Sequence, residues 1–183
     1  VVALYLGNGI EYAVAYAAAV RLGAITTGIN QRLGPHEIAS ILERAEPRLI
    51  VSDAPLPVDI GPAARLTNAD VTLAMRGPSL ARRPTVDATD PVCIIWTSGT
   101  TGTPKGAWFD HRNMAAAVAS SGAMTHPFDR RVGGVPFAHA GFMAKLWEHF
   151  AMGLCLVLSP TPWTPEAMLD IIVNERINVG AGV

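Results

Sequence analysis

Thr97-Ser98-Gly99-Thr100-Thr101-Gly102-Thr103-Pro104-Lys105-Gly106 concentrates four threonines, one serine, three glycines and a lysine in ten residues. Binding a phosphate takes several donors converging at short range with little bulk in the way. Gly99, Gly102 and Gly106 would let backbone amides approach closely. The hydroxyls of Thr97, Ser98, Thr100, Thr101 and Thr103 would add rotatable donors, and Lys105 a compact positive charge. The apolar run Val92-Cys93-Ile94-Ile95-Trp96 leads straight into the stretch. It reads as a buried strand that would set the loop at the carboxyl end of a sheet, where open α/β folds bind ligands.

Ser, Thr, Gly and Pro are also the ordinary residues of turns, so composition alone leaves a polar turn and a phosphate loop both open. Two familiar phosphate motifs are excluded by spacing. In the pattern G-x-x-x-x-G-K-[ST], glycine precedes the lysine and a hydroxyl follows it, whereas Lys105 lies between Pro104 and Gly106. The dinucleotide pattern G-x-G-x-x-G fails as well, because no glycine stands two residues before Gly99 or between Gly99 and Gly102. His139, beside Phe137, is a second candidate. An isolated histidine next to an aromatic ring is as consistent with packing as with a role in a site. His36, His111 and His126 have no partners at ligand spacing and read as surface or turn residues. Trp147, His149 and Phe150 read as packing positions of one helix, and Asp129-Arg130-Arg131 as a solvated turn before a strand.

The elements around the loop alternate. Val1–Leu6 reads as a buried strand ended by Gly7-Asn8-Gly9. Glu11 to Leu22 reads as an alanine-rich helix closed by Gly23, and Ala24 to Ile29 as the next strand. Gly34-Pro35-His36-Glu37 opens a second helix with proline in its first turn. That helix carries Ile38, Ile41 and Leu42 on one face and stops before Pro47; the strand Arg48–Ser52 follows. Strand and helix in alternation predict an α/β fold with a mostly parallel sheet and right-handed crossovers. Asp53 to Pro91 is rich in proline and reads as a loop-rich connection with a short strand near Arg65–Val71. Beyond the loop come a short strand at Ala107–Phe109 and a helix capped by Asp110 through Met114 and Val118. Strands at Arg131–Val135 and Leu154–Leu158, helices near Phe142–Met152 and Pro165–Glu175, and a last strand from Ile177 complete the pattern. The expected division is a βαβαβ segment at 1–54, the connection at 55–91, and the loop strand with a second α/β segment at 92–183.

Bulk properties narrow the function. The chain of 183 residues is 50% hydrophobic and 16% charged, enough to bury a sizeable core. Its net charge of −1 gives no support for nucleic-acid binding. Cys93 and Cys155 lie in apolar runs and read as small buried hydrophobes, with neither a disulfide framework nor zinc spacing, which suits a reducing, cytoplasmic setting. No apolar run approaches the ~20 residues of a membrane-spanning helix, and no secretory leader is legible. The first residues already read as a strand and the last begin another, so we expect an internal piece of a longer chain.

TSGTTGTPKG resembles the signature loop of the adenylate-forming enzymes, which include acyl- and aryl-CoA synthetases, the adenylation domains of peptide synthetases and firefly luciferase. The flanks resemble it too. Asp90-Pro91 and the strand to Trp96 are similar to the family's acid–proline lead-in, with Trp96 where tyrosine is common. Asp110-His111-Arg112-Asn113-Met114 resembles the T-H-R-N-L helix start of the acyl-CoA synthetases, with Asp110 in place of Thr or Ser. Ala19–Ala24 with Gly28-Ile29-Asn30, Glu37–Val51, Pro136-Phe137-Ala138-His139 with Gly141, Gly153–Leu158 and the Pro165 helix extend the likeness over most of the chain. The combination of loop and H-R-N points to the CoA-ligase branch.

The resemblance implies a two-step reaction. A carboxylate, from a fatty or other acyl acid, attacks the α-phosphate of ATP to give an acyl-adenylate and pyrophosphate. CoA then displaces AMP. It implies that Ser98, Thr100, Thr101, Thr103 and Lys105 hold the departing phosphates, with Thr97, Gly99, Gly102 and Pro104 shaping the loop. Lys105, Thr101 and His139 would be the catalytic positions, with His139 donating to the carboxylate or gating its pocket. Mg²⁺ is expected on the phosphates. The family's adenine pocket, its Y-G-x-T-E motif, its ribose-binding aspartate and its small C-terminal lid domain with a second lysine have no counterpart in these residues. The 183-residue piece is therefore expected not to form an adenylate alone. Two other readings of the resemblance stay open, an adenylation domain loading a carrier protein and a truncated, non-catalytic binding module. The acid itself and the oligomeric state are not set by the sequence.

Overall fold

The computed structural model describes residues 1–78, 84–97, 103–122 and 124–180. Its first half is the expected α/β alternation. Strand β1 (Val2–Tyr5), helix α1 (Ile10–Arg21), strand β2 (Thr26–Gly28), helix α2 (Pro35–Ala45) and strand β3 (Leu49–Ser52) follow one another. β1 pairs in parallel with both β2 and β3. The chain thus moves from β1 to β2 and then back across β1 to β3. Right-handed crossovers in opposite directions place their helices on opposite faces. Packing agrees: Tyr12, Ala15 and Tyr16 of α1 meet Leu4, Leu6 and Val51, whereas Ile38, Ile41 and Leu42 of α2 meet Ala3, Tyr5 and Ile50. Each strand residue changes face at every step, so both faces must be apolar. That is why these strands read as continuous runs rather than alternating ones.

The proline-rich connection holds more structure than its composition shows. Strand β4 (Ala64–Thr67) pairs in parallel with β3, and helix α3 (Asn68–Ala74) follows at once. The strand expected to run to Val71 therefore ends at Thr67. There Thr67 Oγ1 accepts from the Asp70 amide (3.3 Å) and Asp70 Oδ2 accepts from the Thr67 amide (2.7 Å). This reciprocal cap satisfies two amides and starts a helix in place of further strand.

Strand β5 (Pro91–Thr97) joins β2 in parallel, and strand β6 (Lys105–Asp110) turns back antiparallel to β5. The six-stranded order is β4-β3-β1-β2-β5-β6. Asp110 caps helix α4 (His111–Ser120), its carboxylate accepting from the Asn113 amide at 2.8 Å. Strand β7 (Arg130–Gly133) then pairs in parallel with strand β8 (Cys155–Leu158) in a separate two-stranded sheet. Between them the single expected helix is two, α5 (Ala140–Met143) and α6 (Leu146–Met152). At the break the Tyr16 hydroxyl donates to the Met143 carbonyl (3.2 Å) and accepts from Trp147 Nε1 (3.0 Å), tying both short helices to α1. Helix α7 (Pro165–Asn174) leaves Leu169 and Val173 exposed. Of the last expected strand the described part forms one bridge, Arg131 to Val179. Residues 181–183 lie outside the described residues. Cys93 is buried as expected, and burial pushes its thiol up to about 12; Cys155 is only half-buried.

Asp129 and Arg131 are not a solvated turn. Asp129 is buried, accepting from the His126 amide (2.8 Å) and Asn178 Nδ2 (2.9 Å). Arg131 Nη1 reaches Glu148 Oε1 at 3.1 Å. Glu148 is 1% exposed and also accepts from Thr125, from Ser121 Oγ (2.9 Å) and from Lys145 Nζ (3.0 Å). One carboxylate thereby joins α4, α6 and β7. Burial pushes its pKa up, but the hydrogen bonds from Thr125, Lys145 and Ser121 outweigh this and hold it at about 2, against an ordinary 4.5. A depressed carboxyl stabilises the fold above its unfolded pKa, and that contribution is lost as pH falls. We therefore expect Glu148→Gln to destabilise the protein by about 3 kcal/mol at pH 7 in denaturant titrations. The gap between wild type and variant should narrow as pH falls from 4.5 toward 2.

Candidate functional site

The glycine-rich stretch is the tip of the β5–β6 hairpin. The ladder between the two strands runs up to the pair Thr97 and Lys105. Ser98, Gly99, Thr100, Thr101 and Gly102 lie outside the described residues; Thr97, Thr103, Pro104, Lys105 and Gly106 are the parts of the loop whose positions are given. Their surroundings show how the ends of the tip are held. Gly106 stands opposite Trp96. A Cβ at Gly106 would lie 2.8 Å from Ile94 Cγ2 and 3.2 Å from the Trp96 ring, so the indole covers a position only glycine fits. Trp96 Nε1 donates to Thr27 Oγ1 at 2.6 Å, locking that ring to β2. On the other side Arg44 Nη1, from α2, donates to the Pro104 carbonyl at 3.3 Å.

The donor set at the tip suits an anion. No carboxylate occurs between Pro91 and Phe109 in the sequence. Thr97 and Lys105 are exposed. Lys105 and Lys145 are the chain's two lysines. Lys145 is paired with Glu148, whereas Lys105 has no ion pair among the described residues. Those residues also contain no group of three or more His, Cys, Asp or Glu placed to hold a metal.

His139 reaches the same edge of the sheet by a different route. Asn8 follows β1, and its Nδ2 donates to the Val135 carbonyl (2.9 Å) while its Oδ1 accepts from the Phe137 amide (2.8 Å). Gly28 ends β2, and a Cβ there would fall 2.7 Å from Ala138 Cα and 2.5 Å from the Tyr12 hydroxyl. The Pro136–His139 segment thus lies across the carboxyl ends of β1 and β2. β2 neighbours β5, whose carboxyl end carries the glycine-rich loop. His139 is exposed and caps α5, its Nδ1 accepting from the Gly141 amide at 3.1 Å. Phe137 and Phe142 stack with ring centroids 3.4 Å apart. The Tyr12 hydroxyl is fully buried and has no hydrogen-bond partner among the described residues, and that burial raises its pKa well above the ordinary tyrosine value.

Sequence reasoning named the loop and His139. It missed Asn8, Gly28 and Arg44 as the groups that hold them. Gly28 carried a signal, since glycine in a strand often marks close backbone approach. Asn8 and Arg44 act over separations of well over a hundred and of 60 residues, and no local pattern reports such contacts. Of the histidines read as surface residues, His111 is half-buried and packs edge-on against Trp147, with centroids 5.5 Å apart.

The family model for the AMP-binding enzymes matches residues 1–183. The chain belongs to the AMP-binding enzyme family. Among curated relatives, the long-chain-fatty-acid–CoA ligase FadD13 of Mycobacterium tuberculosis is 28% identical over 197 residues, spanning 100% of this chain and 39% of that protein. Among solved structures, an inhibitor-bound N-terminal domain of FACL13 from M. tuberculosis superposes with a TM-score of 0.85 at 25% identity, over 99% of this chain and 49% of that one. The N-terminal subdomain of Klebsiella oxytoca NpsA, in complex with 3-hydroxybenzoyl-AMSN, gives 0.82 at 23% identity over 98% and 46%. The chain therefore spans about two fifths of the length of the curated relative. Its fold is that of N-terminal domains of adenylate-forming enzymes. No helix among the described residues is long and apolar enough to cross a membrane.

Because Gly28 leaves no room for a methyl group, Gly28→Ala should push the Pro136–His139 segment off β2. We expect a loss of about 2 kcal/mol in denaturant unfolding. Gly180→Ala, where nothing lies within 4 Å, should be neutral in the same measurement.

Proposed function

We propose that this chain supplies the phosphate-holding part of an enzyme that activates a carboxylic acid with ATP and passes the acyl group to CoA. The observation that carries the proposal is the hairpin tip itself. Its sequence carries hydroxyls and Lys105, which has no ion pair among the described residues, without a carboxylate, at the carboxyl edge of a mostly parallel sheet in a member of the AMP-binding family. The acid's carboxylate oxygen attacks the α-phosphorus of ATP. A bond forms to that phosphorus, and the bond to the bridging oxygen of pyrophosphate breaks. Negative charge grows on the departing group. On this reading the hydroxyls of Ser98, Thr100, Thr101 and Thr103 and the ammonium of Lys105 would meet that charge, with Thr97 at the base of the loop. Donors fixed before the reaction stabilise such charge without reorganising, and the ladder up to Thr97 and Lys105 gives them a rigid base. Mg²⁺ bound to the phosphates would offset more of their charge. His139, whose Nδ1 is occupied as an acceptor, presents its Nε2–H as a donor for the incoming carboxylate. In the second half-reaction the CoA thiol attacks the acyl carbon and AMP leaves, giving a thioester.

CoA is favoured over a carrier-protein thiol by the H-R-N helix start at His111–Asn113 and by the FadD13 relative, named a CoA ligase. That relative's name points to a fatty acid, so the acid proposed here is an aliphatic acyl acid.

In the full-length protein, Lys105→Ala and Thr101→Ala should each lower acid-dependent ATP–pyrophosphate exchange by about a hundredfold with the melting temperature unchanged. Wild-type exchange rates in both variants would remove the loop from the reaction. Adding CoA should convert the adenylate to a thioester with release of AMP. An adenylate discharged only by a phosphopantetheinyl carrier would assign the acceptor to the other branch.

A further inference from the structure

We propose that Asn8 is a positioning residue for His139, setting where its Nε2–H meets the carboxylate. The inference rests on the adenylation reading above. Pro136, Phe137 and Ala138 have no polar side-chain atom with which to fix the segment to the sheet. The Asn8 amide does so instead, with both of its polar atoms on the segment's backbone: Nδ2 on the Val135 carbonyl at 2.9 Å and Oδ1 on the Phe137 amide at 2.8 Å. Pro136, between these two contacts, has no amide proton. Its carbonyl accepts from the His139 amide at 2.9 Å and closes a turn.

From that turn onward the position of the imidazole follows. The Gly141 amide donates to His139 Nδ1 at 3.1 Å. As the acceptor, Nδ1 carries no proton, so the ring hydrogen lies on Nε2. The path from the end of β1 to this N–H therefore runs through one side chain, its two hydrogen bonds to the backbone of Val135 and Phe137, a turn and a helix cap. Gly28 supplies the floor, since only a residue without Cβ lets Ala138 approach β2 so closely. The phosphate hairpin is referenced to that same strand through Thr27 and Trp96. The distance between the histidine and the hairpin is thus set on β1 and β2, and Asn8 holds one end of it.

The test is a double-mutant cycle on full-length protein, read by acid-dependent ATP–pyrophosphate exchange. His139→Ala should raise the KM for the acid and leave the KM for ATP unchanged. Asn8→Ala should do the same by about tenfold, because small displacements of a positioned group are costly. Asn8→Asp, which keeps the acceptor for the Phe137 amide and loses the donor to Val135, should fall between; it also serves if Asn8→Ala lowers stability. The decisive result is the double variant Asn8→Ala/His139→Ala, which should match His139→Ala alone. Effects that add, or a KM for ATP that rises in step with that for the acid, would show that Asn8 serves only the fold and overturn the inference. Unchanged kinetics in His139→Ala with normal wild-type exchange would also overturn it while leaving the hairpin reading intact. Absence of wild-type exchange would overturn the adenylation reading itself, and the inference with it.

Discussion

The absence of a side chain at Gly28 joins the two halves of the molecule. Gly28 belongs to the first βαβαβ run and Ala138 to the second α/β stretch, yet a Cβ on one would lie 2.7 Å from the Cα of the other. The contact is possible only for glycine, and it sits at the carboxyl end of a buried strand. It brings Tyr12, Phe137 and Phe142 into one aromatic cluster, with Tyr12 edge-on to both phenylalanines at 5.6 and 6.1 Å. Tyr16 extends the seam by holding Met143 and Trp147. Without that approach the segment bearing His139, held at the end of β1 by Asn8, could not also close onto β2.

The glycine-rich hairpin is referenced to the same strand. β2 has only three residues, but it pairs with β5, and Thr27 accepts the Trp96 indole N–H. Thr26 and Thr27, fully buried, also donate to the carbonyls of Val92 and Ile94 at 3.1 and 3.3 Å. These two threonines thus place hydroxyls where an all-apolar strand would offer only contact, and they bind β5 by side chain as well as by ladder. β2 thus anchors the base of the hairpin as it anchors the segment bearing His139.

The elements legible in the sequence were those set by local chemistry. Pro35 after Gly34, Asp110 before its helix and the apolar runs of β1, β3 and β5 each act within a few residues, and each appears where it was read. The loop was named from its residue types and their order, and His139 from the resemblance of Pro136-Phe137-Ala138-His139 to a family element. Three features were not. The Thr67–Asp70 cap was hidden by a proline-rich surround, although the spacing T-x-x-D was there to be read. The break between α5 and α6 falls where Tyr16, 127 residues from Met143, bonds to Met143 and Trp147. The Glu148 cluster depends on α4, α6 and β7 meeting, so Asp129 and Arg131 looked like any charged turn. Polar residues reveal burial only through their partners, and those partners are distant in sequence.

The two lysines show how much that distinction decides. Lys145 and Arg131 both reach Glu148, and the buried carboxylate, held near 2, stays charged and satisfied. Such a cation is consumed by the fold: its field is cancelled within a few ångströms. Lys105 has no such partner among the described residues, and the sequence around it offers none from Pro91 to Phe109. A like-for-like count of charges would rank the two alike. What separates them is whether the protein itself supplies the counter-charge. Where it does, the lysine stabilises an interface between helices. At Lys105 no counter-charge stands among the described residues, and the side chain is exposed above a backbone fixed by a ladder, a covered glycine and an arginine on the Pro104 carbonyl.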